Sequence, residues 1–372
     1  MAQGTVWGAI ALGLAAALGG CGITPGEQVQ SADSQHTDLP MVVGGIQAAD
    51  KTERDPDVLT VARSKESDFP IVQPIRCTLG KDCFVLLYPD RDPSANAKDF
   101  TCGQLTYDGH KGTDFAIASW TRDTDVPVLA SAPGTVVAVR DGVRDYRIES
   151  PDEFATVKGI ECGNGILMSH DDGWTTQYCH LEQGSVSVRQ GDRLEAGDPI
   201  GMVGLSGKTT FPHVHMTVRH NNKVVDPFVG KGSESGCDIP VRSPLWSESD
   251  VNYVPTGLIR SGFSDGAVEE PELWLNGHRS KRFSSTGPAI VFWAHTYGVQ
   301  TGDQEIVELR DPSGKVVADF KEPVQNSRRV YIRYIGKTTR NGPLSKGTWT
   351  GRFRLVRQGK TLIDTTQTSV VE

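Results

Sequence analysis

The sequence predicts an all-β protein, and three observations carry that prediction. Short apolar runs separated by turn formers recur along the chain after residue 70. Glycine (41) and proline (21) are plentiful enough to supply the turns. No long, well-capped helical period interrupts the pattern. With 372 residues the chain is long enough for two ordinary domains.

The elements follow in order. Residues 6–18 are almost wholly apolar and small, too short to span a bilayer, and a polar stretch follows them. That is the pattern of an export signal, placed at residues 1–20. It ends in Leu18-Gly19-Gly20-Cys21, which resembles the lipobox of bacterial lipoproteins, although residues 1–10 contain no Lys or Arg. The resemblance implies a lipidated Cys21 that anchors the chain to a membrane. Residues 21–69 are polar and aperiodic and are expected to form a flexible tether. Such a tether would span roughly 35–40 Å root-mean-square.

Residues 70–245 read as one β-rich domain. Strands are expected at 126–130 and 135–140 around Ser131-Ala132-Pro133-Gly134, and at 166–170 and 174–180 around Asp171-Asp172-Gly173. A further strand is expected at 199–203, and a hairpin at 213–219 and 223–226 around His220-Asn221-Asn222. Residues 143–159 are a polar insertion, expected as a loop. Residues 250–372 show six short strand-like runs with turns at Asp311-Pro312-Ser313-Gly314 and Gln358-Gly359-Lys360. Their even spacing predicts a β-sandwich.

Charge and cysteine usage narrow the function. The net charge is -8 and no basic run stands out, which argues against a nucleic-acid partner. Setting aside Cys21, six cysteines remain, an even number suited to three disulfides in an oxidising compartment. Cys162 and Cys179 flank a predicted hairpin and are placed to face each other. The other four have Cys77–Cys83 with Cys102–Cys237 as one pairing among several.

The chemistry-bearing residues fall in three short motifs: His110-Lys-Gly-Thr-Asp114, Tyr178-Cys-His180-Leu, and His213-Val-His215. Imidazole and carboxylate suit a borderline divalent metal. Three protein ligands would leave a fourth position of a zinc ion open to water, which separates catalytic from structural zinc sites. Residues two apart on a strand share a face, so His213 and His215 project together while Val214, Met216 and Val218 face the other way. Gly109 and Gly112 bracket His110 and suggest a tight backbone that brings it near Asp114. By strand geometry, His110 with His213 and His215 is also a sterically possible ligand set. Tyr178 lies either in a groove or in the core. His170, His220, His278 and His295 read as structural or surface residues.

These motifs, with Ala132-Pro-Gly-Thr-Val136, Gly163-Asn-Gly165 and Gly204-Leu-Ser-Gly207, make residues 102–228 similar to lysostaphin/LytM-type zinc metallopeptidases, a family of cell-wall endopeptidases. The resemblance implies an antiparallel peptidase domain at 70–245, one Zn2+ per chain, and metal ligands His110, Asp114 and His215. It also implies that His180 and His213 flank the water and substrate. The implied substrate is the stem peptides of peptidoglycan, in the periplasm or cell envelope, with a regulatory partner left open. An alternative in the same family is a non-catalytic murein-binding or amidase-activating lipoprotein. Outside the family, the alternative is another secreted zinc hydrolase.

Overall fold

The computed structural model describes residues 67–121, 123–231, 236–237, 244–247, 251–275 and 282–372. The segments expected to form an export signal, a lipobox-like sequence with Cys21 and a tether to residue 66 lie outside the described residues, as does His278. The fold is antiparallel β almost throughout. In the first unit the strands are β1 (Cys83–Leu87), β2 (Thr113–Ile117), β3 (Pro127–Leu129), β4 (Gly134–Arg140), β5 (Asn164–Ser169), β6 (Trp174–Leu181), β7 (Arg193–Leu194), β8 (Pro199–Met202), β9 (His213–His220) and β10 (Lys223–Val225). Eight of them form one sheet in the order β1-β2-β9-β6-β5-β4-β7, with β10 paired to β9; β3 and β8 pair separately.

Local sequence explains the joints. The β9–β10 turn uses Asn221 and Asn222, both with positive φ (49° and 63°). That is the two-residue geometry whose twist matches a hairpin, and asparagine tolerates it. The insertion at 143–159 is not all loop. It contains a short helix, α1 (Pro151–Thr156), started by a reciprocal capping box between Ser150 and Glu153 with proline in the first turn. The Ser-x-x-Glu signal was present in the sequence, but six residues show no helical period. The insertion runs beside the segment before β9: Tyr146 N–H donates to Leu205 O and Ile148 N–H to Thr209 O.

The second unit contains β11 (Gly257–Ser264), α2 (Glu270–Trp274), β12 (Arg282–Phe283), β13 (Ala289–Val299), β14 (Gln304–Arg310), β15 (Val316–Pro323), β16 (Arg328–Thr338), β17 (Gly347–Arg357) and β18 (Lys360–Val371). Strands β11-β13-β16 form one sheet and β12-β18-β17-β14-β15 the other. Phe263, Ile290, Phe292 and Ile335 of the first sheet pack against Val307, Leu309, Trp349, Phe353 and Leu355 of the second. The sandwich expected from strand spacing is therefore formed. The sequence reading missed β11, whose apolar residues are interrupted by Arg260, Ser261 and Gly262.

The core of the first unit does not stop at residue 245. It takes in Tyr253, Ile259, Trp274 and Tyr297, and Tyr297 stacks on Phe84 at 5.3 Å. At the other end, Phe69, the last residue of the expected tether, is buried and stacks on Trp174 at 4.6 Å. All three disulfides form: Cys77–Cys83, Cys102–Cys237 and Cys162–Cys179.

His295 on β13 is fully buried beside Trp274 (ring centroids 4.7 Å), and neither ring nitrogen has a hydrogen-bond partner among the described residues. Burial, then the charges of Arg260 and Arg147, lower its pKa to about 3. The unfolded chain takes up this proton first, near pH 6.5, so stability should be lost as pH falls from there toward 3. Between pH 7 and pH 5 this residue should cost about 2 kcal/mol, at about 1.4 kcal/mol per pH unit below 6.5. Urea unfolding at both pH values should show His295→Phe losing that much less than the parent. Equal losses would contradict the assignment.

Candidate metal centre

The site is assembled from one loop and three adjacent strands. Asp114 on β2 lies directly opposite His215 on β9, and His215 lies opposite Cys179 on β6. Directly opposed residues of an antiparallel pair share a face. Asp114 and His215 therefore meet on one side of the sheet, while Phe115, Val214 and Met216 enter the core on the other. His110 sits in the loop before β2, held by a turn bond from its N–H to Tyr107 O and by a bond from Asp90 N–H to its carbonyl. Gly112 is required here: a Cβ at that position would stand 2.5 Å from His215 Nε2 and 2.7 Å from Met216 O.

Three donor atoms converge. Asp114 Oδ1 is 3.1 Å from His110 Nε2 and 2.8 Å from His215 Nδ1, and the two nitrogens are 3.2 Å apart. Of the five motif residues, His110, Asp114 and His215 form the group able to hold a metal ion. His213 Nε2 lies 3.4 Å from the same carboxylate oxygen but outside that group.

The outward ring nitrogens fix the tautomers. His110 Nδ1 donates to Tyr88 O (2.7 Å), leaving Nε2 as the ligand atom. His215 is turned the other way, with Nε2 on Thr217 Oγ1 (3.0 Å) and Nδ1 inward. His180 Nδ1 donates to Ser206 O (2.7 Å), which leaves a lone pair on its Nε2, and His213 Nδ1 bonds Phe211 O (2.9 Å) while its Nε2 faces the Asp114 carboxylate. The His180 and His213 rings lie 4.7 Å apart, and His180 is 6.0 Å from His215.

The electrostatics separate the residues. Burial alone would raise the pKa of Asp114, but His110 and His213 beside it hold it well below the usual carboxylate range. Burial disfavours the charged form of His110, yet the Asp114 carboxylate and the bonds to Asp114 and Tyr88 outweigh it and raise its pKa. Burial lowers the pKa of His215, and Asp114 only partly offsets this. Burial, with His213 and His215 nearby, pushes His180 well below the ordinary imidazole value.

His180 reaches the site through a backbone irregularity. Along β6, Trp174, Thr176 and Tyr178 point into the core, and simple alternation would send His180 after them. Tyr178 does lie in the core, its hydroxyl accepting from Ser131 N–H at 2.7 Å, so it does not line the groove. His180 instead has φ +66° and sits at a break in the β5–β6 register. A left-handed non-glycine residue costs about 1–3 kcal/mol, and such strain persists where the surrounding structure holds it in place.

Sequence reasoning missed four supporting residues. Thr217 was findable, since it shares a face with His215 by alternation. Phe211 stacks on His213 (4.3 Å, 23°), and Trp274 of α2 packs on Phe211 at 5.5 Å. Ser206 holds His180 through its carbonyl. Ser206 lies within the Gly204-Leu-Ser-Gly207 segment that carries part of the resemblance, but nothing local in the sequence ties residue 274 to the motifs. His170 and His220 are structural, as expected: His170 bonds Pro133 O and Thr176 Oγ1, and His220 packs on Trp174.

Fold and donor set define a class: an antiparallel β-domain with a mixed histidine–carboxylate centre suited to a metallopeptidase. Residues 108–227 match the model of Peptidase family M23, and the chain carries an M23 peptidase domain. The chain is similar to the peptidoglycan DD-endopeptidase ShyB of Vibrio cholerae, with 26% identity over 145 residues, covering 39% of this chain and 27% of that protein. It is similar to the DD-carboxypeptidase/endopeptidase Mpg of Neisseria meningitidis, with 32% identity over 120 residues, covering 32% and 22%. It is also similar to the cell division protein DipM of Caulobacter vibrioides, with 32% identity over 107 residues, covering 27% and 15%. The matches thus span about a quarter or less of these relatives' length. Among solved structures, the catalytic domain of lysostaphin from Staphylococcus simulans is 28% identical, covers 32% of this chain and 76% of that one, and has a TM-score of 0.23.

Proposed function

We propose that this protein is a zinc metalloendopeptidase that hydrolyses peptide cross-links of bacterial peptidoglycan. The observation that carries the reading is the convergence of His110 Nε2, Asp114 Oδ1 and His215 Nδ1, with the rings of His180 and His213 beside them. Two imidazole nitrogens and one carboxylate oxygen fit a zinc ion and leave a position for water. When bound there, the ion would supply Lewis acidity toward a carbonyl and lower the pKa of a water toward about 7. The relatives' names support peptidoglycan as the substrate.

The chain's own residues have distinct tasks in this reading. His110, Asp114 and His215 hold the ion, one per chain. His180 offers a lone pair at Nε2, because Ser206 O fixes its proton on Nδ1, while His213 Nε2 faces the Asp114 carboxylate. His180 can accept a proton from the attacking water and return it to the leaving amine, with His213 beside it as the alternative base. The lowered pKa of His180 keeps that ring neutral, so its Nε2 is unprotonated. Phe211 and Thr217 keep His213 and His215 in orientation. In this reading the site lies within a peptidase domain at 70–245, the sandwich at 250–372 is accessory, and the protein works in the cell envelope, anchored through Cys21.

The test is mass spectrometry of defined cross-linked muropeptides incubated with the full chain, alongside metal analysis. Cleavage that requires about one zinc per chain is expected. Digestion by metal-free protein would sink the mechanism. Zinc retention without hydrolysis, but with stimulation of a separate hydrolase, would favour the non-catalytic alternative.

A further inference from the structure

We propose that the Cys162–Cys179 disulfide is a positioning element that holds His180 in its site-facing conformation. This rests on the peptidase reading above. The ladder between β5 and β6 pairs Asn164 with Leu181 and Ile166 with Tyr178, so Gly165 alone opposes both Cys179 and His180. Two residues against one is a β-bulge, a device that re-aims a side chain. Here it turns His180 from the core face, where Tyr178 lies, toward His213.

A bulge residue lacks its ladder partner, and something else must hold it. His180 N–H donates to Cys162 O at 2.8 Å, and Cys162 Sγ is bonded to Cys179, the residue before His180. Cys162 thus grips the bulge twice, once through its backbone and once through its side chain. Gly165 packs directly beneath: a Cβ there would stand 2.8 Å from Cys162 Sγ and 2.5 Å from Tyr178 O. On the ring itself, Ser206 O accepts a hydrogen bond from Nδ1–H, and Ser206 Oγ donates to Leu181 O at 2.7 Å. Without the covalent link, the left-handed backbone at 180 can relax toward the extended conformation that the rest of β6 adopts. That relaxation swings the ring away from His213. The three converging metal donors lie on β2, β9 and the loop before β2, so they stay in place.

The experiment is a double-mutant cycle on the zinc-loaded full chain, assayed well below its unfolding temperature. Cys162→Ala/Cys179→Ala should lower kcat about 10-fold or more, with KM and zinc content unchanged. His180→Ala alone should lower kcat by roughly 10²–10⁴-fold. Adding the disulfide removal to His180→Ala should cost no more, because the disulfide acts through that ring. Cys77→Ala/Cys83→Ala, a disulfide remote from the ring, should leave kcat unchanged. Parental kcat in the Cys162/Cys179 variant, or a loss that adds in full to His180→Ala, would overturn the proposal.

A second readout does not need turnover. The His180 Nδ1–H, bonded to Ser206 O, should give a slowly exchanging imidazole proton signal in NMR spectra, identified by its loss in His180→Ala. It should disappear in the Cys162/Cys179 variant; persistence would overturn the proposal. A parent protein that cleaves no muropeptide would count against the peptidase reading, and this signal would still judge the disulfide.

Discussion

Replacing His215 with alanine should abolish zinc retention and hydrolysis together while leaving the fold intact. His215 supplies one of three converging donors, and Asp114 Oδ1 lies 2.8 Å from its Nδ1. Two remaining protein donors do not make a tight zinc site. A milder change calibrates the expectation. Thr217→Val removes only the hydroxyl that meets His215 Nε2, and losing an outer partner of this kind costs about 10–100-fold in metal affinity. His215→Ala should exceed that clearly. The fold should survive because β9 buries its other face, through Val214, Met216 and Val218, and the substitution leaves that face alone. Metal analysis, muropeptide hydrolysis and thermal unfolding read the three parts separately. A variant that unfolds normally, lacks zinc and still cleaves would refute the metal mechanism.

Asp303→Ala should destabilise the second unit by about 3–5 kcal/mol, the cost of leaving a buried charge without its partner. Asp303 is buried in the connection from β13 to β14. It accepts from Arg357 Nε (2.7 Å), from Arg357 Nη2 (2.9 Å) and from Gln300 N–H (2.8 Å). Arg357 Nη2 also donates to Thr256 Oγ1 and Gly298 O. One ion pair thereby pins the end of β17, in one sheet, to β13 in the other. Arg352 and Asp364 form a pair of the same two-pronged geometry (2.8 and 2.6 Å), but in solvent. Arg352→Ala should therefore cost far less, because exposed ion pairs are screened by solvent. Urea unfolding of the two variants checks the contrast; similar losses would show that burial does not decide the effect.

The motifs were legible because the geometry of the donor cluster uses strand periodicity. His213 and His215 had to share a face, and they do. The same rule misleads at His180, where alternation points to the core and a bulge reverses it. A bulge depends on the pairing between two strands, which residues 174–181 do not encode by themselves. Asp114 was expected from a tight loop, whereas its neighbour across β2 and β9 is what fixes it against His215. Strand β2 escaped notice because it is five residues long with two polar residues at its start. Turn chemistry fared better: Asn221-Asn222 and Asp171-Asp172-Gly173 each mark a real reversal. The partnership of Trp274 with Phe211 joins positions 63 apart in sequence and leaves no local trace.

That partnership bears on how such proteins are assembled from parts. Trp274 is buried against Phe211, its carbonyl accepts from Trp120 N–H at 2.8 Å, and Phe211 in turn lies on His213. The sandwich side of the molecule therefore supplies a floor to the ring on which His213 rests. Grafting these motifs onto a different carboxy-terminal module would leave that floor open. An evolutionary exchange of the module would have to bring its own aromatic plug, so sequence drift at positions 211 and 274 should be concerted.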